Sequence, residues 1–137
     1  MKLSLCMIVK DEEKVLARCL DSIQKEVDEI VITDTGSTDG TIDLARQYTD
    51  MVYTFPWKDD FAAARNHSFA RATGDYAMWL DADDVIAPDM LPRLRSLKTR
   101  IEQENADMAV CKYVNGGCIY FRERIVRRGA GMLWEGR

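Results

Sequence analysis

The stretch MWLDADDVIAPDM, residues 78–90, places Asp81, Asp83 and Asp84 within four positions, directly after the apolar run Ala77–Leu80. Like charges held together repel, and a hard divalent cation offsets that cost. Mg²⁺ and Mn²⁺ favour carboxylate oxygens and often keep waters and substrate phosphates as their other ligands. At a strand end, the i, i+2 spacing puts Asp81 and Asp83 on one side if the extension continues. The cluster therefore reads as half of a metal–diphosphate site. A helix start explains the same residues: Asp83 or Asp84 could cap the following segment, whose N-terminus favours acidic side chains. The D-x-D spacing alone does not separate the two readings.

A second polar run, DTGSTDGT from Asp34 to Thr41, follows another apolar segment. Gly36 and Gly40 allow backbone conformations that other residues resist. The hydroxyls and backbone N–H groups suit a nucleoside or a phosphate. A capped helix start is again the alternative, natural for Ser37, Thr38 and Asp39.

These loops need elements to hold them. In 137 residues there is room for one domain and one core. Apolar residues make up 47% and charged residues 31%, an ordinary globular composition. No apolar run reaches the roughly 20 residues that cross a bilayer. Met1–Val9 runs into Lys10-Asp11-Glu12-Glu13 without a small-residue cleavage site, so it reads as a first strand rather than a signal peptide. A net charge of −4 argues against a nucleic-acid binder. The one basic cluster, Arg122, Arg124, Arg127 and Arg128, reads as alternating charge on an exposed hairpin, with an anionic partner as the alternative. Cys6, Cys19, Cys111 and Cys118 form no C-x-x-C pair and suit free thiols in a cytoplasmic protein. His67 is the only histidine, which disfavours a zinc site.

Periodicity predicts strands at Leu3–Val9, Glu29–Thr33, Met51–Phe55, Tyr76–Leu80 and Met108–Tyr113. Helices are predicted over Glu12–Ile23, from the polar turn to about Tyr48, over Phe61–Ala72 and over Pro88–Glu104. Asn115-Gly116-Gly117 signals a hairpin into Cys118–Phe121. The alternation implies an α/β fold: a mostly parallel sheet covered on both faces, with an antiparallel hairpin near its end. Ligands of such sheets bind at the carboxyl ends of the strands, so Asp34 and the Asp81–Asp84 cluster should be neighbours.

MIVKDEE, VITDTGSTDGT, FAAARNHSFARATGDYAMWLDADD and WEGR, in that order, resemble a family 2 glycosyltransferase of GT-A fold, especially bacterial members joined to tetratricopeptide repeats. The likeness runs over nearly the whole chain. It implies a three-layer α/β/α sandwich that binds a nucleotide-diphospho-sugar, a UDP-sugar by preference, through Mn²⁺ or Mg²⁺ for inverting transfer to an acceptor hydroxyl. By the same likeness Asp34 bonds the base, Ile8, Val9 and Glu12 line the nucleoside, and Gly36 belongs to the nucleotide-binding loop. Arg65 lies near the nucleotide, Asp81 reaches the ribose or the metal's waters, and Asp83 binds the metal. For Arg65, pairing with Asp59 or Asp60 is the alternative.

Two departures stand out. Many relatives have Tyr-Asn where this chain has Lys10-Asp11, and that tyrosine can stack on the base. The acceptor half and the general base of similar enzymes follow the WEGR stretch, so residues 1–137 are expected to be a donor-binding domain cut short on its acceptor side. Glu135 is the only nearby candidate base. Exposed Leu133 and Trp134 would then invite self-association. A nucleotide-sugar binding module without transfer is the rival from another class. A nucleotidyltransferase or a dinucleotide-binding domain would show a Gly-rich loop after the first strand, and Lys10–Glu13 has no glycine.

Overall fold

The computed structural model describes residues 1–135. The end of the WEGR stretch, Gly136 and Arg137, lies outside the described residues. The elements are β1 (Leu3–Val9), α1 (Leu16–Ile23), β2 (Glu29–Asp34), α2 (Thr41–Arg46), β3 (Val52–Thr54) and α3 (Phe61–Ala70). There follow β4 (Tyr76–Trp79), a 3₁₀ turn (Pro88–Met90), α4 (Leu91–Glu104), β5 (Met108–Asn115) and β6 (Cys118–Arg127).

One six-stranded sheet runs in the order β3-β2-β1-β4-β6-β5. β1 pairs in parallel with β2 and β4, and β2 in parallel with β3. β6 runs antiparallel to both β4 and β5. The central strand is apolar on both faces because both are covered. Leu3, Leu5, Met7 and Val9 pack with Leu16, Leu20 and Ile23 of α1, Ala45 of α2 and Ile101 of α4. On the other face, Cys6, Val31 and Ala77 meet Ala72 and Phe69 at the end of α3. Each fully buried Leu or Ile contributes roughly 1.5–3 kcal/mol relative to exposure. The outcome is the expected three-layer α/β/α sandwich. Among the described residues, no helix is long and apolar enough to cross a membrane.

Most boundaries agree with the periodicity or shift by one or two residues, and three differences have an identifiable cause. α1 begins at Leu16, not Glu12. Glu12–Val15 forms a turn in which the Glu12 carbonyl accepts from the Val15 and Leu16 amides, while the Glu12 amide is drawn to Thr41 Oγ1 at 2.8 Å. The segment Pro88–Glu104 splits because Pro92 stands near the start of α4, leaving Pro88–Met90 as a 3₁₀ turn. β6 continues to Arg127, six residues past the expected end at Phe121. Its last part is carried by Ile125 and Val126, buried against β4.

The basic cluster is not one charged face. Arg124 is buried, Arg127 pairs with Asp107, and Arg128 donates to the Gly74 carbonyl. Of the four free cysteines, Cys6 and Cys19 are buried and their thiols are pushed up to about 12, chiefly by burial. Cys118 lies exposed on the hairpin.

Candidate active site

β2 and β4 flank β1, so Asp34 and the acidic cluster leave the same sheet edge one strand apart. Asp34 is buried, and its carboxylate holds its own loop. Oδ1 accepts from the Gly36 and Ser37 amides at 2.8 Å each, and Oδ2 from Ser37 Oγ at 2.5 Å. Gly36 has φ +126°, a value that L side chains rarely adopt, so the turn needs glycine there. The loop is zipped to the end of β1. Asp11 Oδ1 accepts from the Thr38 amide at 2.7 Å, Asp11 donates its amide to Ser37 Oγ at 2.8 Å, and Glu13 Oε2 accepts from the Gly40 amide at 2.9 Å. Asp11 itself has φ 52°, a conformation that short polar side chains tolerate. Asp11 therefore braces the loop after β2 against the end of β1. Asp39 accepts from the Thr41 amide in the turn before α2, but the N-cap position is Gly40 and no side chain caps the helix, so the capped-helix alternative is not realised here.

The acidic cluster divides into two kinds of residue. Asp81, Asp83 and Asp84 each bring a carboxylate oxygen within 4.8 Å of the others. Asp84 is engaged: Oδ2 accepts from the Asp81 amide at 2.9 Å and from Arg124 Nη1 at 3.1 Å. Both partners of that ion pair are largely buried. The side chains of Asp81 and Asp83 are exposed, and neither makes a hydrogen bond or ion pair among the described residues. The helix-cap alternative is not realised, because no side chain caps the turn at Pro88 or α4.

Asp81 stays open at its tip yet sits in dense surroundings. Lost hydration raises its carboxyl above the usual carboxylate range, and Asp84 and Asp83 add repulsion against the pull of Arg124 and Arg65. Glu12 is raised too, by burial first and then by Asp83, Asp39, Asp81 and Asp11. Oxygen donors crowded at one mouth, their repulsion only partly offset by Arg124 and Arg65, fit a hard divalent cation.

A cleft of about 360 Å³ collects Ile8, Val9, Glu12, Asp81 and Asp83, together with residues the sequence did not single out: Lys10, Thr35, Trp57, Phe61 and Ala82. Asp34 and Gly36 are not among the residues that line it, whereas Thr35 between them is. Arg65 stands next to the cleft with Ile8 and Asp81 around a small void. It makes no ion pair with Asp59 or Asp60. Asp60 caps α3 through the Ala63 amide at 3.0 Å, and Asp59 accepts from the Trp57 indole N–H at 2.8 Å. The Arg65 guanidinium lies 3.9 Å from the Trp79 ring centroid and 4.9 Å from that of Trp134. Burial lowers its pKa, partly opposed by Asp81.

Trp134 is not uncovered, contrary to the expectation of a bare C-terminal end. Asn66 clamps its backbone, accepting from the amide at 2.8 Å and donating to the carbonyl at 2.9 Å. Its ring meets Phe69 and Trp79 edge-on at 5.7 and 6.1 Å. The ARN and WEGR motifs thus work on each other, a link separated by 68 residues in the chain. Leu133 is exposed, as expected. Glu135 lines a separate open groove with Lys58, Asp60 and Asn66, away from Asp81 and Asp83.

The profile of glycosyl transferase family 2 matches residues 4–134. The chain belongs to that family. A TPR repeat-containing protein of Synechococcus elongatus is 45% identical over 95 residues, 69% of this chain and 24% of its own length. The chain thus spans about a quarter of that relative. Among solved structures, residues 1–349 of Staphylococcus aureus TarS in complex with UDP superpose with a TM-score of 0.68 at 25% identity, covering 85% of this chain and 37% of that one. Glucosyl-3-phosphoglycerate synthase of Mycobacterium tuberculosis, in complex with Mg²⁺ and UDP, gives 0.58 at 26% identity over 69% of this chain and 38% of that one. The family 2 membership and these neighbours agree with the GT-A sandwich described above.

Proposed function

We propose that this chain is the donor-binding domain of a glycosyltransferase that takes a UDP-sugar, with Mn²⁺ or Mg²⁺, and serves transfer of the sugar to an acceptor hydroxyl. The observation that carries this reading is the pairing of two unpartnered carboxylates, Asp81 and Asp83, with the nucleoside-sized cleft beside them. The UDP held by TarS and the Mg²⁺ and UDP held by the mycobacterial synthase support it.

Asp83 would hold the metal directly, and Asp81 would contribute to it or to the ribose. A bound cation would neutralise charge developing on the departing diphosphate. Ile8 and Val9 offer an apolar floor to the nucleoside, with Glu12 at its edge. Arg65 supplies positive charge beside Asp81 from a position fixed by two tryptophans. Stacking holds a cation where an exposed ion pair would leave it mobile. Asp34 reads the base, and its Oδ2 retains acceptor capacity beyond the bond from Ser37. The acceptor surface and the proton-removing carboxylate of an inverting transfer are assigned to parts of the protein other than these residues. The buried free thiols suit a cytoplasmic setting.

Binding of UDP, UDP-GlcNAc and UDP-glucose should be compared with GDP and ADP in Mn²⁺. Preference for the uridine compounds is expected, and no binding of any of them would refute the reading. The role of Asp34 is separable. Asp34→Asn keeps an oxygen acceptor for the Gly36 and Ser37 amides but removes the charge. UDP binding should weaken by about 1.5–3 kcal/mol, the range for a hydrogen bond to a charged group. Mn²⁺ affinity should be unaltered. Unchanged UDP affinity in this variant would leave Asp34 with its loop and nothing more.

A further inference from the structure

We propose that Trp57 and Phe61 form the stacking platform for the donor's nucleobase, a role that rests on the donor-binding reading above. A heterocycle needs a flat apolar surface. The end of β1 offers Lys10 and Asp11, and Asp11 is committed to the loop after β2. Among the described residues, the only rings lining the cleft are those of Trp57 and Phe61. They stand edge to face at 4.7 Å, and both remain accessible, at 36% and 53% of their surface. The remaining lining is the Lys10 ammonium, three carboxylates and small or aliphatic side chains, none of which offers a π-face.

The segment is built to hold the indole. The Trp57 N–H donates to Asp59 Oδ1 at 2.8 Å, which pins the ring. Asp59 adopts φ 55°, a conformation uncommon outside glycine, and Asp60 next to it caps α3 at the Ala63 amide. Phe61 is the first residue of α3, so the helix that carries Arg65 also places the second ring. Asp81 and Asp83 line the same cleft as the rings. A single nucleotide can therefore set its diphosphate at the carboxylates and its base at the aromatic pair. Stacking on a side-chain ring tolerates any base, so this platform supplies affinity and leaves base selection to hydrogen bonding.

The test is titration of UDP, UDP-glucose and inorganic pyrophosphate, each with Mn²⁺, into the wild-type chain, Trp57→Ala, Trp57→Phe and Phe61→Ala. Trp57→Ala should weaken UDP binding by about 5- to 150-fold, the span measured for loss of one base–aromatic stack. Pyrophosphate binding should not change, because that ligand has no base. Trp57→Phe should recover most of the UDP affinity, and Phe61→Ala should show a smaller loss. UDP affinity unchanged in Trp57→Ala overturns the proposal, and loss confined to UDP-glucose would assign the ring to the sugar instead. Equal losses for UDP and pyrophosphate would also overturn it, showing that the loop had collapsed. Failure of the wild-type chain to bind UDP sinks the donor reading and this one together.

Discussion

Asp84→Ala should lower the stability of the fold by about 3–5 kcal/mol, the range for removing one partner of a buried ion pair. Arg124 is only 6% exposed. Its guanidinium lies 4.0 Å from the Trp79 ring centroid and 5.2 Å from that of Tyr113, and Nη1 reaches Asp84 and the Trp79 carbonyl. Without Asp84 that charge keeps its π-contacts but loses its anion. Asp81 feels the same guanidinium and can compensate in part, which favours the lower end of the range. The double variant Asp84→Leu, Arg124→Met should recover much of the loss, since apolar replacement of a buried pair is often neutral or stabilising. Urea unfolding measures both. A cost below about 1 kcal/mol for Asp84→Ala would show the pair to be solvated like a surface bridge.

The neighbouring residue should behave in the opposite way. Asp83→Ala should leave the unfolding midpoint almost unchanged, because its side chain has no protein partner among the described residues. UDP affinity in Mn²⁺ should fall by at least about 10- to 100-fold, the loss typical even of residues that only support a metal ligand. The variant should then bind UDP equally with Mn²⁺ or with chelator. A variant that loses stability but keeps its metal dependence would move Asp83 from the metal to the fold. The contrast between two adjacent aspartates turns the geometry into two different measurements.

Which aspartate does what was not legible in the chain. The D-x-D spacing pointed to Asp81 and Asp83, but the helix-cap alternative stood equally well until a partner for Asp84 was located. That partner, Arg124, lies 40 residues away on a strand whose last six residues the alternation had missed. The charge pattern of β6 suggested a wet hairpin, whereas its end pairs beside β4 through the buried Ile125 and Val126. By contrast, the order of strands and helices was plain, because β1 is apolar on both faces and α1 on one. Local periodicity reports burial, and burial follows the layers.

The interlocks between distant loops were hidden for the same reason. Nothing near Asn66 in sequence says that it holds Trp134, and nothing near Glu12 says that Thr41 will claim its amide. These bonds decide where α1 begins and where Arg65 sits. The resemblance named residues that pattern alone could not; of these the structure lines one cleft with Ile8, Val9, Glu12, Asp81 and Asp83, but not with Asp34, Gly36 or Arg65. The resemblance did not reach Trp57, whose nearest textual signal was an aromatic residue set in the polar run Lys58-Asp59-Asp60.

The central claim is that a divalent cation joins Asp81 and Asp83 to the diphosphate of the donor. Its most direct measurement is calorimetric titration of UDP into the wild-type chain, once with Mn²⁺ and once with EDTA. The carboxylates repel a diphosphate, so saturable binding should appear with Mn²⁺ and fall by at least about 10- to 100-fold with EDTA. Equal affinity under the two conditions would contradict the account, because the carboxylates would then face the nucleotide with nothing between them.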